Sequence, residues 1–371
     1  MSAKNIPFFN YPALFLRHEK EYMAIAYDVL KRGAYIMQKD LQEFEANLAQ
    51  YLGVKHAIGT ADGTMALLMS LTAAGIGQGD EVIVPSHTFV ASAAAIHHTG
   101  ATPVLADCGS DHLINAESIE SLITSKTKAL MPVQLNGRTA DMDAIGSLAE
   151  RHNLIIIEDS CQALGSKFKG RFAGTFGVAG AFSFYPSKTL GCFGDGGAVV
   201  TSDDSIARRI LCLRDHGRGS DGKVSCFGFN ARLDNFQAAV LNFKLKTYDA
   251  EIQFRRGLAK IYTDQLKNLK EIKLPPAPVE DGDHFDIFQN YEIEAERRDE
   301  LRNFLLSQGV HTIVQWGGHA IHQFEELGLR GTLPYTEQMT QRFMLLPMNT
   351  SLEPDDIDYI CDQIINFYQI K

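Results

Sequence analysis

Among the six cysteines of this 371-residue sequence there is no CxxC pair; Cys108, Cys161, Cys192, Cys212, Cys226 and Cys361 lie scattered along the chain. That spacing excludes a zinc ribbon and a small disulfide framework, and leaves reduced thiols as the expectation. His319 and His322 are spaced like helical neighbours but have no third ligand beside them, so no metal site is expected. The motifs GxxxxGK[ST], GxSxG and HExxH are missing too, which removes nucleoside triphosphatases, serine hydrolases and zincins. No apolar run approaches the roughly 18 residues of a membrane span. The opening MSAKNIPFFNYPAL has no apolar core of a secretory signal. The expected compartment is therefore the cytoplasm, with no membrane partner. Lys and Arg total 35 against 45 Asp and Glu, a net charge of −10, and no basic cluster stands out. Nucleic acid is thus not expected as a partner. There is no internal repeat and no low-complexity tract.

What is present fits a large globular α/β protein. The length and a hydrophobic fraction of 45% allow two domains of unequal size. Helical spacing of apolar residues marks helices over 22–32 and 40–52, the second stopped by Gly53. From there strands and helices alternate: strand 56–61, helix 65–74, strand 81–84, helix 89–98, strand 102–105, helix 116–123, strand 127–133, helix 144–152. Strands over 154–158, 180–185 and 197–202 follow. This alternation predicts a largely parallel sheet whose ligand crevice lies at the carboxyl ends of its strands. A long helical pattern over 235–266 then bridges to a Pro-rich and acidic connection, 274–283. A strand at Tyr291, a helix over 297–308, a strand over 312–315 and a closing helix over 354–369 suit a smaller α+β domain. We expect a large domain over 1–245 and a helix-linked small domain over 246–371.

One lysine stands apart. Lys188 follows Phe184-Tyr185-Pro186 and precedes a glycine-rich run, Gly191 to Gly197, on a turn between two strands. An ordered, partly desolvated lysine has a lowered pKa and a neutral amine for Schiff-base chemistry; an ordinary solvated lysine is the alternative. Asp159 ends a strand at the edge where ligands gather, and reads equally as a helix cap. Gln162 lies three residues on. Gly63-Thr64 opens a helix, where free N–H groups favour an anion, or is a plain first turn. Phe89 is suited to covering a flat ring, or to core packing. The Gly194-Asp-Gly-Gly197 run is followed by a strand and lacks the third glycine of a dinucleotide fingerprint.

Taken together, Gly63-Thr64, Phe89, Glu158-Asp159-Ser-Cys-Gln162-Ala163, Ser183-Phe-Tyr-Pro-Ser-Lys188, Gly194-Asp-Gly-Gly197, Arg214-Asp-His-Gly217 and Asn230-Ala-Arg-Leu-Asp-Asn-Phe-Gln-Ala-Ala239 resemble the DegT/DnrJ/EryC1/StrS nucleotide-sugar aminotransferases. The likeness runs in order from about Phe8 to the C-terminus. It implies the aspartate-aminotransferase fold (fold type I), with a mostly parallel mixed sheet and a smaller C-terminal α+β domain, and pyridoxal 5′-phosphate (PLP) as cofactor, passing through pyridoxamine phosphate. Carried over, Lys188 is the lysine that binds PLP as a Schiff base and Asp159 the partner of its pyridine nitrogen. Gln162 pairs with the ring hydroxyl and Phe89 stacks on the ring. Gly63, Thr64, Ser183 and backbone near Met65 hold the phosphate. Asn230 reaches the phosphate of a neighbouring subunit, which implies a homodimer with composite sites.

The departures bear on substrate. Asp62 stands where the family commonly has serine or asparagine, and would repel a phosphate unless turned to cap the helix. The usual PVHLYG block is Pro132-Val-Gln-Leu-Asn136-Gly, and a histidine-tyrosine-proline region is replaced by Val314-Gln-Trp316-Gly-Gly318. Trp316, the only tryptophan, reads as a wall of the sugar-nucleotide pocket or as core. The wording of these blocks is most similar to enzymes that make dTDP-4-amino-4,6-dideoxyglucose for O-antigen. The expected reaction is amino transfer from L-glutamate to dTDP-4-keto-6-deoxyglucose. The alternatives are C3 amination of a related dTDP- or UDP-keto-sugar and, in another class, a PLP-binding regulator without turnover.

Overall fold

Five-residue runs such as Glu81–Pro85 and Ile155–Asp159 are apolar on both faces, as strands covered by helices on either side must be. The computed structural model describes residues 4–369. Its main sheet has seven strands: β1 (His56–Thr60), β2 (Glu81–Pro85), β3 (Thr102–Ala106), β4 (Thr127–Leu130), β5 (Ile155–Asp159), β6 (Ala179–Ser183) and β7 (Gly197–Thr201), in the order β1-β7-β6-β5-β4-β2-β3. From β6 to β3 every pairing is parallel, while β7 runs antiparallel to β6 and β1. This is the mostly parallel mixed sheet the alternating pattern predicts.

After a short helix over Tyr11–Leu16, two longer helices precede the sheet, α1 (Glu19–Arg32) and α2 (Lys39–Leu52), each ended by a left-handed glycine, Gly33 and Gly53. Next comes α3 (Gly63–Ala73). It shows no apolar stripe because nearly all of it is buried against β6, β7 and α4 (Val90–His98). Further on lie α5 (Met142–His152) and α6 (Asp204–Leu213), the latter absent from the expected pattern and capped by Asp203. Among the described residues no helix is long and apolar enough to cross a membrane.

The continuous helix expected over 235–266 is in fact two, α7 (Asn235–Leu245) and α8 (Tyr248–Leu266). Periodicity misses the break because both halves are helical; α7 and the start of α8 (Tyr248, Ile252) belong to one core, and the rest of α8 to another. Ala238 and Leu241 of α7 pack with Phe44 and Leu48 of α2, whereas Leu258, Tyr262 and Leu266 of α8 pack with Ile293, Leu305 and Ile360. That second core is built on an antiparallel sheet of β8 (Ile272–Lys273), β9 (Tyr291–Ala295) and β10 (Phe343–Leu346), with helices α9 (Arg298–Ser307) and α10 (Pro354–Gln369). Ile6 of the N-terminal segment also lies in it, bridged to Val310.

The strand expected over 312–315 is not formed either. Only an isolated bridge, Ile313 to Leu345, is made, after which Trp316, Gly317 and Gly318 take φ of 52°, 68° and 83°. Three successive left-handed residues turn the chain sharply, and two of them are glycines, which tolerate that conformation.

Candidate active site

The carboxyl ends of the parallel strands open into a cleft of about 610 Å³. Seven of the nine residues picked from sequence line it: Gly63, Thr64, Phe89, Asp159, Gln162, Ser183 and Lys188. Met65 and Asn230 do not.

The floor begins where β1 hands over to α3. Asp62 caps that helix, its Oδ1 accepting from Met65 N–H at 2.8 Å. This corrects the expectation for Met65, since its N–H is already taken. The Gly63 and Thr64 N–H groups, by contrast, have no acceptor among the described residues and face the cleft at the positive end of an eleven-residue helix. Gly63 is required for another reason as well. A Cβ there would stand 2.8 Å from both Cys161 Sγ and Ser183 Cβ, so only glycine lets the cradle close against β6.

Asp159, the last residue of β5, is 5% exposed. Its Oδ2 accepts from Ser92 Oγ at 2.6 Å and its Oδ1 from Cys161 N–H at 3.2 Å. Ser92 lies one turn into α4 and also bonds Thr88. Sequence reasoning missed Ser92; the only hint was its helical spacing from Thr88, next to Phe89. Phe89 itself sits at the N-cap of α4, lines the cleft and is 53% exposed.

Lys188 sits on the turn after β6, its N–H bonded to Tyr185 O at 2.8 Å. Gln289 clamps that turn from the segment before β9. Its amide donates to Ser187 O and accepts from Thr189 N–H, both at 2.8 Å. Thr189 Oγ1 is in turn 2.6 Å from the hydroxyl of Tyr248 on α8. The lysine side chain opens onto the cleft from deep in the fold, and this burial pushes its ammonium pKa down. An amine with a lowered pKa beside a fixed carboxylate and a helix N-terminus that favours an anion is the donor set that a phosphorylated pyridine aldehyde needs.

Behind Gln162 lies a cluster of amides. Asn136, at φ 56°, donates its N–H to Gln162 Oε1 at 3.0 Å. Asn290 donates to the same oxygen at 3.3 Å and to Asn136 Oδ1 at 2.8 Å, and Gln315 donates to Asn136 Oδ1 at 3.3 Å. Asn136 Nδ2 ends the chain on Glu292 Oε1 at 3.0 Å.

Glu292 Oε1 also meets His87 Nε2 at 3.2 Å and His112 Nδ1 at 2.6 Å, while His112 Nε2 meets Glu294 Oε1 at 3.0 Å. Among the described residues this is the one group, His87, His112 and Glu292, with donor atoms close enough for a metal, within 4.8 Å; their mutual hydrogen bonds account for the closeness. His322, flagged from sequence, instead bonds Ser86 Oγ at 2.7 Å.

Burial alone would depress the His112 pKa, but the hydrogen bonds and charges of Glu292 and Glu294 outweigh it and push the value up to about 9. The folded value lies above the 6.5 of a free imidazole, so this contribution is complete below pH 6.5 and is lost as pH rises toward 9. Counted once for the coupled group, it is on the order of 3 kcal/mol. The melting temperature is therefore expected to fall as pH rises across this window, and His112→Gln to flatten that slope. Thermal melts at stepped pH check it, and an identical slope in the variant would remove His112 as the cause.

Comparison with known proteins adds to this geometry. The profile of the DegT/DnrJ/EryC1/StrS aminotransferase family matches residues 17–365. A dTDP-3-amino-3,4,6-trideoxy-alpha-D-glucose transaminase of Streptomyces venezuelae is 41% identical, over 94% of this chain and 92% of its own length. A pleiotropic regulatory protein of Geobacillus stearothermophilus is 36% identical, over 98% of this chain and 99% of its own. Among solved structures, DesV of S. venezuelae in complex with a ketimine intermediate matches with a TM-score of 0.93 at 39% identity, covering 98% of each chain.

Proposed function

This chain belongs to the DegT/DnrJ/EryC1/StrS aminotransferase family, and from that premise we propose that it moves an amino group from L-glutamate to the C3 keto group of a deoxyhexose carried on dTDP or UDP. It is a PLP-dependent aminotransferase of nucleotide-linked sugars. The reaction class rests on one juxtaposition: an amine with a lowered pKa, a buried carboxylate and a free helix N-terminus around one cleft. The choice of C3 is supported by the S. venezuelae relative, whose product carries its amine at that carbon.

When bound, PLP supplies an electrophilic carbon for amine exchange and a ring that stores the electrons released when the donor loses its Cα proton. The residues divide the remaining work. Lys188, whose ammonium pKa is pushed down by its desolvated setting, would be the nucleophile that holds the cofactor and the base that moves the donor's Cα proton. Asp159, fixed by Ser92 and the Cys161 N–H, keeps a proton on the pyridine nitrogen. Gly63, Thr64 and Ser183 take the phosphate, Phe89 covers a ring face, and Gln162 meets the ring oxygen.

A homodimer with composite sites is part of the proposal. The cofactor phosphate, glutamate and the sugar diphosphate are all anions, yet among the described residues Lys188 is the only lysine or arginine lining the cleft, beside Asp62, Asp159 and Asp195. The missing positive charge has to come from outside it. Asn230 is exposed, away from its own cleft, at the end of a loop that carries a fully exposed Phe227.

C4 amination of dTDP-4-keto-6-deoxyglucose is the second reading. In its favour, the three segments whose wording resembles those enzymes all contribute to the cleft wall, through Asp62, Gly63 and Thr64, through Val133 and Leu135, and through Gln315 and Trp316. Incubation with glutamate and either a 3-keto or a 4-keto dTDP-6-deoxyhexose, followed by NMR of the product, separates the two. The amine is expected at C3; turnover of the 4-keto sugar alone would overturn that choice.

A further inference from the structure

The amide cluster behind the cleft has a direction set by one charge. Glu292 is a buried carboxylate and can only accept, so Asn136 must turn its Nδ2 toward it. Asn136 Oδ1 then faces Asn290 and Gln315, which are forced to donate. The backbone N–H of Asn136 likewise can only donate, so the atom of Gln162 beside it must be oxygen. With Oε1 taken by Asn136 and Asn290, the free end of the Gln162 amide is its Nε2–H.

We infer that Glu292, by pinning the Asn136 side chain and with it the place of the Asn136 backbone N–H, is a positioning residue that holds Gln162 with its N–H side toward the cofactor. The two domains thereby share the setting of one hydrogen bond: Glu292 stands on β9, Asn136 follows β4, and Gln162 follows β5. Three donors hold Glu292 Oε1 in place, from His87, His112 and Asn136, and His112 is braced in turn by Glu294. Lys273 and Tyr335 bind Glu294 from the outside. An amide free to flip would offer the cofactor's ring oxygen a carbonyl half of the time; the lock removes that state.

This rests on the reading that Gln162 meets the ring oxygen, and the test separates the two. The readout is the pH midpoint of the visible absorption change of the bound cofactor. An N–H donated to the ring oxygen stabilises its anionic form and weakens its hold on the proton of the adjacent Lys188 nitrogen. Losing the donor is therefore expected to raise the midpoint by about one pH unit. Gln162→Leu removes the donor outright and should show the full rise. Glu292→Leu should move the midpoint in the same direction, while Glu292→Gln, which keeps an acceptor oxygen there, should stay near wild type. Asn136→Gly, which keeps the left-handed backbone and its N–H but cuts the tie to Glu292, should follow Glu292→Leu and decides the matter if that variant does not fold. No change in Gln162→Leu would sink the Gln162 reading and the lock with it. A shift in Gln162→Leu with none in Glu292→Leu or Asn136→Gly would sink the lock alone.

Discussion

Replacing Lys188 with alanine is expected to lower turnover by about four orders of magnitude or more, because the variant loses the nucleophile that binds the cofactor and the base that moves the Cα proton. The fold should survive. The turn is held by Gln289 and by the bond from Lys188 N–H to Tyr185 O, neither of which uses the lysine side chain. Borohydride reduction followed by intact-mass measurement should add a cofactor-sized increment to the wild type and none to Lys188→Ala. A variant that still turns over at the native rate would end the assignment. The same protein tests the shared sites. Mixed and re-equilibrated with an inactive Asn230→Ala chain, it should recover part of the activity, since one of the two sites in a mixed dimer is then intact. A mixture as inactive as its components would show that each site is made by one chain.

Asp159→Asn is expected to keep the cofactor and lose two to three orders of magnitude in the half-reaction with glutamate. Asparagine is isosteric, so the contact to Ser92 Oγ at 2.6 Å and that to Cys161 N–H at 3.2 Å can be met by one amide or the other end of it. What goes is the negative charge that holds a proton on the pyridine nitrogen. Breaking a buried charge pair costs about 3–5 kcal/mol, and each 1.36 kcal/mol of barrier is about tenfold in rate. Stopped-flow absorbance after glutamate addition measures this directly. An unchanged rate with bound cofactor would remove Asp159 from the chemistry.

Much of this site was legible in the sequence because its residues sit at strand ends. A parallel sheet delivers every carboxyl end to one edge, so the end of β5 and the turns after β1, β2 and β6 place Asp159, Thr64, Phe89 and Lys188 around one cleft. The residues that hold them were not legible. Ser92 lies 67 positions from Asp159, and Gln289 about 100 from the lysine turn it clamps. Nothing in a local pattern announces an amide whose partner is a backbone group that far away. Met65 failed for a smaller reason: the neighbouring Asp62, noted as unusual, took the N–H for itself. The split of the 235–266 helix and the missing strand at 312–315 were hidden alike. Both turn on which core a side chain enters and on left-handed backbone, and apolar spacing records neither.

The clamp by Gln289 has a consequence for the order in which the protein is made. All seven strands of the main sheet, and Lys188 itself, leave the ribosome before Gln289 does. Domains fold largely from the N-terminus as they emerge, so a nascent chain can have its sheet while the lysine turn still lacks the amide that fixes it. Capture of the cofactor in its final geometry thus waits for the last quarter of the chain, and a fragment ending before residue 289 would carry the reactive lysine without the means to hold it still.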